Sequence, residues 1–179
     1  AVRMARIAAA FVAASCALPA TAADCVQDRA VYTEKDNGFV LTFRPTKPWE
    51  GAANMMAVMD LAFPDGTHIW GDIHIPNGTA HNQAGFYTDA CSLPVFEPGK
   101  DADPTDGSSE AEYAACRIYD GILLALEDND IAEIPWHDGR PPAATILFPD
   151  LGPVIRYSGL VASPGDEPHE VFTFTGCTP

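Results

Sequence analysis

The chain has 179 residues, 47% of them apolar, with 10 basic and 25 acidic side chains and a formal charge of −15. This balance excludes a dedicated nucleic-acid binder, which needs clustered Lys and Arg to displace counterions, and it argues against docking on anionic lipid. The apolar content suits about one folded domain, and 14 Gly with 16 Pro point to short elements joined by many turns.

The first segment reads as an export address. Met4-Ala5-Arg6 gives a short positive start, Ile7 to Leu18 an apolar run, Pro19 a break, and Ala20-Thr21-Ala22 the small-x-small pattern of a signal peptidase site. The run is shorter than the roughly 20 residues a membrane helix needs. Residues 1–23 are therefore expected to be a removed signal peptide, and residues 24–179 a single exported, β-rich domain. Ala13-Ala14-Ser15 before Cys16 lacks the large aliphatic residue of a lipobox. The expectation is thus a periplasmic or secreted protein rather than a lipoprotein or an integral membrane protein. Losing Arg3 and Arg6 leaves the domain more acidic still.

The cut also removes Cys16 and leaves Cys25, Cys91, Cys116 and Cys177, an even number in an oxidising compartment. Two disulfides follow. Of the three pairings, Cys91–Cys116 closes the acidic loop between them and Cys25–Cys177 ties the two ends of the domain. Chain entropy assigns each bridge about 3–5 kcal/mol. With no Cys-x-x-Cys motif, neither a zinc-thiolate cage nor a thiol redox role is supported.

Ala30–Thr33 and Gly38–Arg44 read as strands around the turn Asp36-Asn37-Gly38, ended by Pro45 and Pro48. Asn54–Phe63 and Thr67–Pro76 read as two strands joined by Pro64-Asp65-Gly66, and a tight Asn77-Gly78 turn returns the chain through Thr79–Thr88. The alternation predicts a register in which Leu61 faces Ile69, Met59 faces Gly71, Ala57 faces Ile73 and Met55 faces Ile75. The opposite face then pairs Ala62 with His68, Asp60 with Trp70, Val58 with Asp72 and Met56 with His74. A two-residue turn at Asn77-Gly78 places His81 opposite His74 and Phe86 opposite Ile69. An acidic loop runs from Glu97 to Glu112. Ser109-x-x-Glu112 resembles a capping box, and Ala111, Ala115, Ile118, Ile122 and Leu126 recur at helical spacing, which predicts a core-packed helix there. Short strands are expected over Ala143–Phe148, Val154–Tyr157 and Val171–Gly176, with a short helix over Asp150–Gly159 as the alternative for the middle one. The predicted fold class is mainly β (α+β): an antiparallel, meander or sandwich-like sheet, one core-packed helix after the acidic loop, and two disulfides.

Three constellations on this frame carry chemistry. Met56, His74 and His81 line up across three strands beside Asp72, a set suited to copper or zinc. Asp60 and Asp72 flank Trp70, a carboxylate pair beside an aromatic platform, as in glycan hydrolysis or, without catalysis, in glycan or protein binding. Asp101, Asp103, Thr105 and Glu112 fall at positions of a calcium-loop frame that lacks its central Gly. His137-Asp138 and His169-Glu170 are acid–base pairs in sequence only. No nucleophile elbow, His-Glu-x-x-His or phosphate loop occurs. The reading is an exported acidic domain that binds a partner, a basic protein or a glycan, without catalysis. The alternatives are a periplasmic copper or zinc binder using His74 and His81, and a glycan hydrolase using Asp60 and Asp72.

Overall fold

Period-two alternation of apolar side chains builds nearly the whole protein. The computed structural model describes residues 25–50, 54–76, 78, 81–91, 114–136 and 139–179. After a 3₁₀ turn at Gln27–Arg29 come strands β1 (Ala30–Thr33), β2 (Val40–Arg44), β3 (Met55–Ala62), β4 (His68–His74), β5 (Asn82–Tyr87), β6 (Arg117–Glu127), β7 (Asp130–Ala132) and β8 (Thr145–Leu147). Helix α1 (Leu151–Ser158) and strand β9 (Val171–Cys177) complete the chain. From β1 to β7 each strand pairs antiparallel with the next, β6 also pairs with β8, β8 pairs with β9, and β9 returns to β1. The result is a closed barrel of eight strands, with β7 beside the far end of β6. The expected mainly β, antiparallel meander with one main helix and two disulfides is what forms. It closes on itself rather than stacking as a sandwich, so the β1 edge is paired, as closure requires.

The β3–β4 hairpin follows its predicted register, with Leu61 opposite Ile69, Met59 opposite Gly71 and Asp60 opposite Trp70. Gly66 takes φ 89°, and the Asp65 carboxylate accepts the Thr67 N–H at 2.8 Å.

Two expectations are corrected. The helix predicted through Ala111–Leu126 is, from Arg117, the 11-residue strand β6; residues 114–116 before it are helical, and 111–113 lie outside the described residues. Ile118, Ile122 and Leu126 fit both periods, because they share strand parity as well as helical spacing. What decides is the opposite parity: Tyr119, Leu123 and Ala125 are buried in the lumen, and β5 and β8 need a strand between them. The strand expected over Val154–Tyr157 is replaced by its alternative, the main helix over Leu151–Ser158, where Leu151 and Ile155 are fully buried and Gly159 ends the helix at φ 80°. The acidic loop lies outside the described residues, and with it the calcium frame; His137-Asp138 lies outside them too.

Aromatic rings fill the lumen. Phe148 packs on Phe86 at 5.5 Å and Phe172 at 5.9 Å, and Phe43 on Tyr32 at 5.7 Å and Trp136 at 6.0 Å, between centroids. The Tyr32 hydroxyl donates to the Ala143 carbonyl (2.9 Å) and accepts from Gln27 Nε2 (3.0 Å), while Gln27 Oε1 accepts the Ala143 N–H (2.9 Å). The 3₁₀ turn thereby seals this end with the Gln27 amide and the Tyr32 hydroxyl satisfied.

The seam between β1 and β9 is tied at both ends. Where the chain enters and leaves, Cys25 and Cys177 form a disulfide with Cα atoms 5.8 Å apart. At the other end, Asn37 Nδ2 donates to the carbonyls of Gly165 (3.1 Å) and Glu167 (2.6 Å). There the buried Glu34 carboxylate accepts the N–H groups of Asp36 (2.9 Å) and Asn37 (2.7 Å), and His169 Nδ1 lies 2.8 Å from Asp36 Oδ2. The second disulfide, Cys91–Cys116, has Cα atoms 5.9 Å apart and joins the end of β5 to the start of β6. Both pairings are those expected, and two disulfides fit an oxidising compartment. No described helix is long and apolar enough to cross a membrane.

Gly71 faces the lumen, where an added Cβ would meet the Gly85 carbonyl oxygen at 2.5 Å and Met59 and Phe86 at 2.8 Å. Gly71→Ala should therefore cost about 1–3 kcal/mol by overpacking, read as a lower denaturation midpoint with unchanged denaturant slope.

Candidate outer-wall binding site

With the lumen filled, the polar chemistry sits on the outside of β3–β6. Alternation turns Asp60, Trp70, Asp72, His74, Tyr87 and Asp120 outward. Trp70 lies opposite both Asp60 and Tyr87, and Asp72 opposite both Val58 and Gly85, which faces Asp120 on β6. The expected Asp60–Trp70–Asp72 constellation is therefore on one wall.

Asp72 is the unusual member, a carboxylate only 4% exposed on an outer wall. His74 Nε2 lies 3.0 Å from its Oδ2, and the Tyr87 hydroxyl reaches it from the next strand. Tyr87 lies back over Gly85, where a Cβ would stand 2.5 Å from the Tyr87 hydroxyl and 2.8 Å from Asp72 Oδ1. Glycine at this position is what lets phenol and carboxylate meet. Trp70 stacks on Tyr87 at 4.4 Å and 21°, and its Nε1 donates to the Cys91 carbonyl at 2.9 Å. Trp70 is thus half-buried and fastens the disulfide-closed loop to the wall. Asp60 is engaged separately, 2.8 Å from His68 Nδ1. Arg117 donates to Asp120 at 2.6 Å. Asn54, Asp72, His74, Gln83, Tyr87 and Asp120 line a cleft of about 480 Å³ in this wall.

The alignment of Met56, His74 and His81 does not form as expected. A bulge at Met55–Ala57 puts Met55 opposite His74, and Met56 packs against the core. The β4–β5 ladder pairs His74 with Gln83 and Gly71 with Phe86, two residues out from the tight-turn register. The cause is local: Pro76 has no N–H to donate, and the Ile75 N–H turns back to the Asn54 carbonyl at 3.0 Å, so pairing stops at His74. The three ligating side chains that come within 4.8 Å of one another among the described residues are instead Glu34, Asp36 and His169. Sequence reasoning missed Tyr87, Gly85 and Asp120 because the register was two residues out. It missed His169 because its partners lie more than 130 residues away.

Burial first, and then the negative charge of Asp72, push the Tyr87 phenol above its ordinary range, so it stays a neutral hydrogen-bond donor. Tyr32 and Tyr119 are likewise raised, chiefly by burial. A raised folded-state pKa leaves its contribution intact below the unfolded value near 10 and loses it as pH climbs toward the folded value. Stability should therefore hold up to about pH 10 and fall above it. In an absorbance titration near 295 nm, these three tyrosines should ionise together with alkaline unfolding, and Tyr87→Phe should leave the steps before unfolding unchanged. No family model, curated protein or solved structure matches this chain.

Proposed function

We propose that this is an exported, acidic binding protein of the cell envelope, acting without catalysis and meeting a basic protein partner on the outer wall of β3–β6. The observation that carries the reading is the packed lumen: aromatic rings occupy the space where a barrel would hold a small ligand, which leaves the wall and the rims for recognition. The wall offers a half-buried aromatic pair, Trp70 and Tyr87, beside the carboxylates Asp60, Asp72 and Asp120. Aromatic anchors beside charged rims are what binding surfaces concentrate. A chain carrying −15 attracts a cationic partner and repels nucleic acid. The apolar run Ile7–Leu18 and the two disulfides support export to the periplasm or beyond.

The test uses a lysine-rich peptide as probe and compares two variants of equal charge. Asp60→Asn/Asp120→Asn removes two carboxylates from this wall, and Glu133→Gln/Asp166→Asn removes two from elsewhere. Wall binding predicts that the first pair weakens affinity about 3–10-fold at low salt and the second hardly at all. Equal weakening by both pairs would mean diffuse charge attraction and no site on the wall.

A further inference from the structure

The far end of the barrel seam carries a second cluster of different chemistry. Glu34 and Asp36 come from the β1–β2 turn, and His169 from the segment that leads into β9. His169 Nδ1 lies 2.8 Å from Asp36 Oδ2 and 3.8 Å from Glu34 Oε1, and one atom from each residue falls within 4.8 Å of the other two. Glu34 is 1% exposed, and among the described residues its only ion-pair partner is His169. Its carboxylate is fixed by two backbone N–H groups, and each oxygen keeps a lone pair. Asp36 and His169 are open to solvent, with side-chain exposures of 46% and 63%, so an ion can enter.

We propose that Glu34, Asp36 and His169 bind a divalent transition-metal ion of the zinc class. This site is independent of the outer-wall reading. Two carboxylate oxygens and one imidazole nitrogen match the donors that zinc accepts. Calcium and magnesium favour all-oxygen sets. Ligands about 2.1 Å from a tetrahedral ion stand about 3.4 Å apart, and the separations here bracket that value. Water completes the coordination from the solvent side. Because the ligands come from both sides of the seam, the ion ties β1 to β9 at the end opposite Cys25–Cys177.

The experiment takes the full chain prepared without a histidine tag, strips it with chelator and titrates it with zinc chloride. One zinc should bind per chain, amide exchange in β1 and β9 should slow, and the thermal midpoint should rise by about 5–10 °C at a hundredfold excess over Kd. His169→Ala and Asp36→Asn should each abolish these effects, while His74→Ala/His81→Ala retains them. Asn37→Ala loosens the same loop contact without removing a ligand and should still bind zinc. Absence of stoichiometric zinc in the wild type would overturn the assignment. So would undiminished binding in His169→Ala, loss confined to His74→Ala/His81→Ala, or equal loss in Asn37→Ala and His169→Ala.

Discussion

Pairing of the first strand with the last is the interaction on which the other contacts depend. Without the β1–β9 ladder the sheet is an open meander whose inner face no second layer covers. With it, every strand from β1 to β6, and β8 and β9, has a neighbour on both sides, and the inner side chains meet around a common axis. The pairing is made late in chain order and across the greatest sequence distance, so loop-closure entropy weighs most heavily against it. The structure answers with a covalent tie at one end of the seam and a cluster of part-buried hydrogen bonds at the other.

That closure governs where chemistry can occur. Eight strands leave a lumen just wide enough for side chains, and here they are large ones: Tyr32, Phe39, Phe43, Phe86, Phe148 and Phe172 are all fully buried. The two glycines at lumen and wall, Gly71 and Gly85, face opposite sides and serve opposite needs. The first yields volume to Met59 and Phe86, and the second yields volume to Tyr87 and Asp72. A buried carboxylate on an outer wall is expensive unless it is hydrogen-bonded; His74 holds Oδ2 of Asp72 and Tyr87 lies against the group, while Oδ1 has no hydrogen-bond partner among the described residues.

Much of the frame was legible in the sequence. The β3–β4 register could be read because one face is apolar on both strands and the turn chemistry of Pro64-Asp65-Gly66 is restrictive. Cysteine positions left three pairings open, and the one favoured because it closes the acidic loop and ties the ends is the one that forms. β6 misled because its apolar residues satisfy two periods at once, and only the need for a strand between β5 and β8 separates them. The β4–β5 register failed because a longer turn displaced it by two residues, a shift that preserves the inward and outward faces and so leaves no mark in the hydrophobic pattern. Asp60, Trp70 and Asp72 were therefore placed on the right wall, while their neighbours across the next ladder were not. His169 could not be connected to Glu34 and Asp36 by any local rule, since only the closed seam brings them together.

The Cys25–Cys177 bridge also changes what kind of object the polypeptide is. All nine strands lie within the covalent loop it closes, with the smaller Cys91–Cys116 loop nested inside it. Once oxidised, the domain is a ring rather than a line, and its ends are a matter of synthesis order and not of architecture. A break at an exposed turn, such as the one at Gly66 between β3 and β4, would part those two strands but leave all nine in one covalent molecule, joined the other way round through Cys25–Cys177. Such a nicked ring keeps its two new ends at high effective concentration, so a single proteolytic cut need not release any part of the barrel.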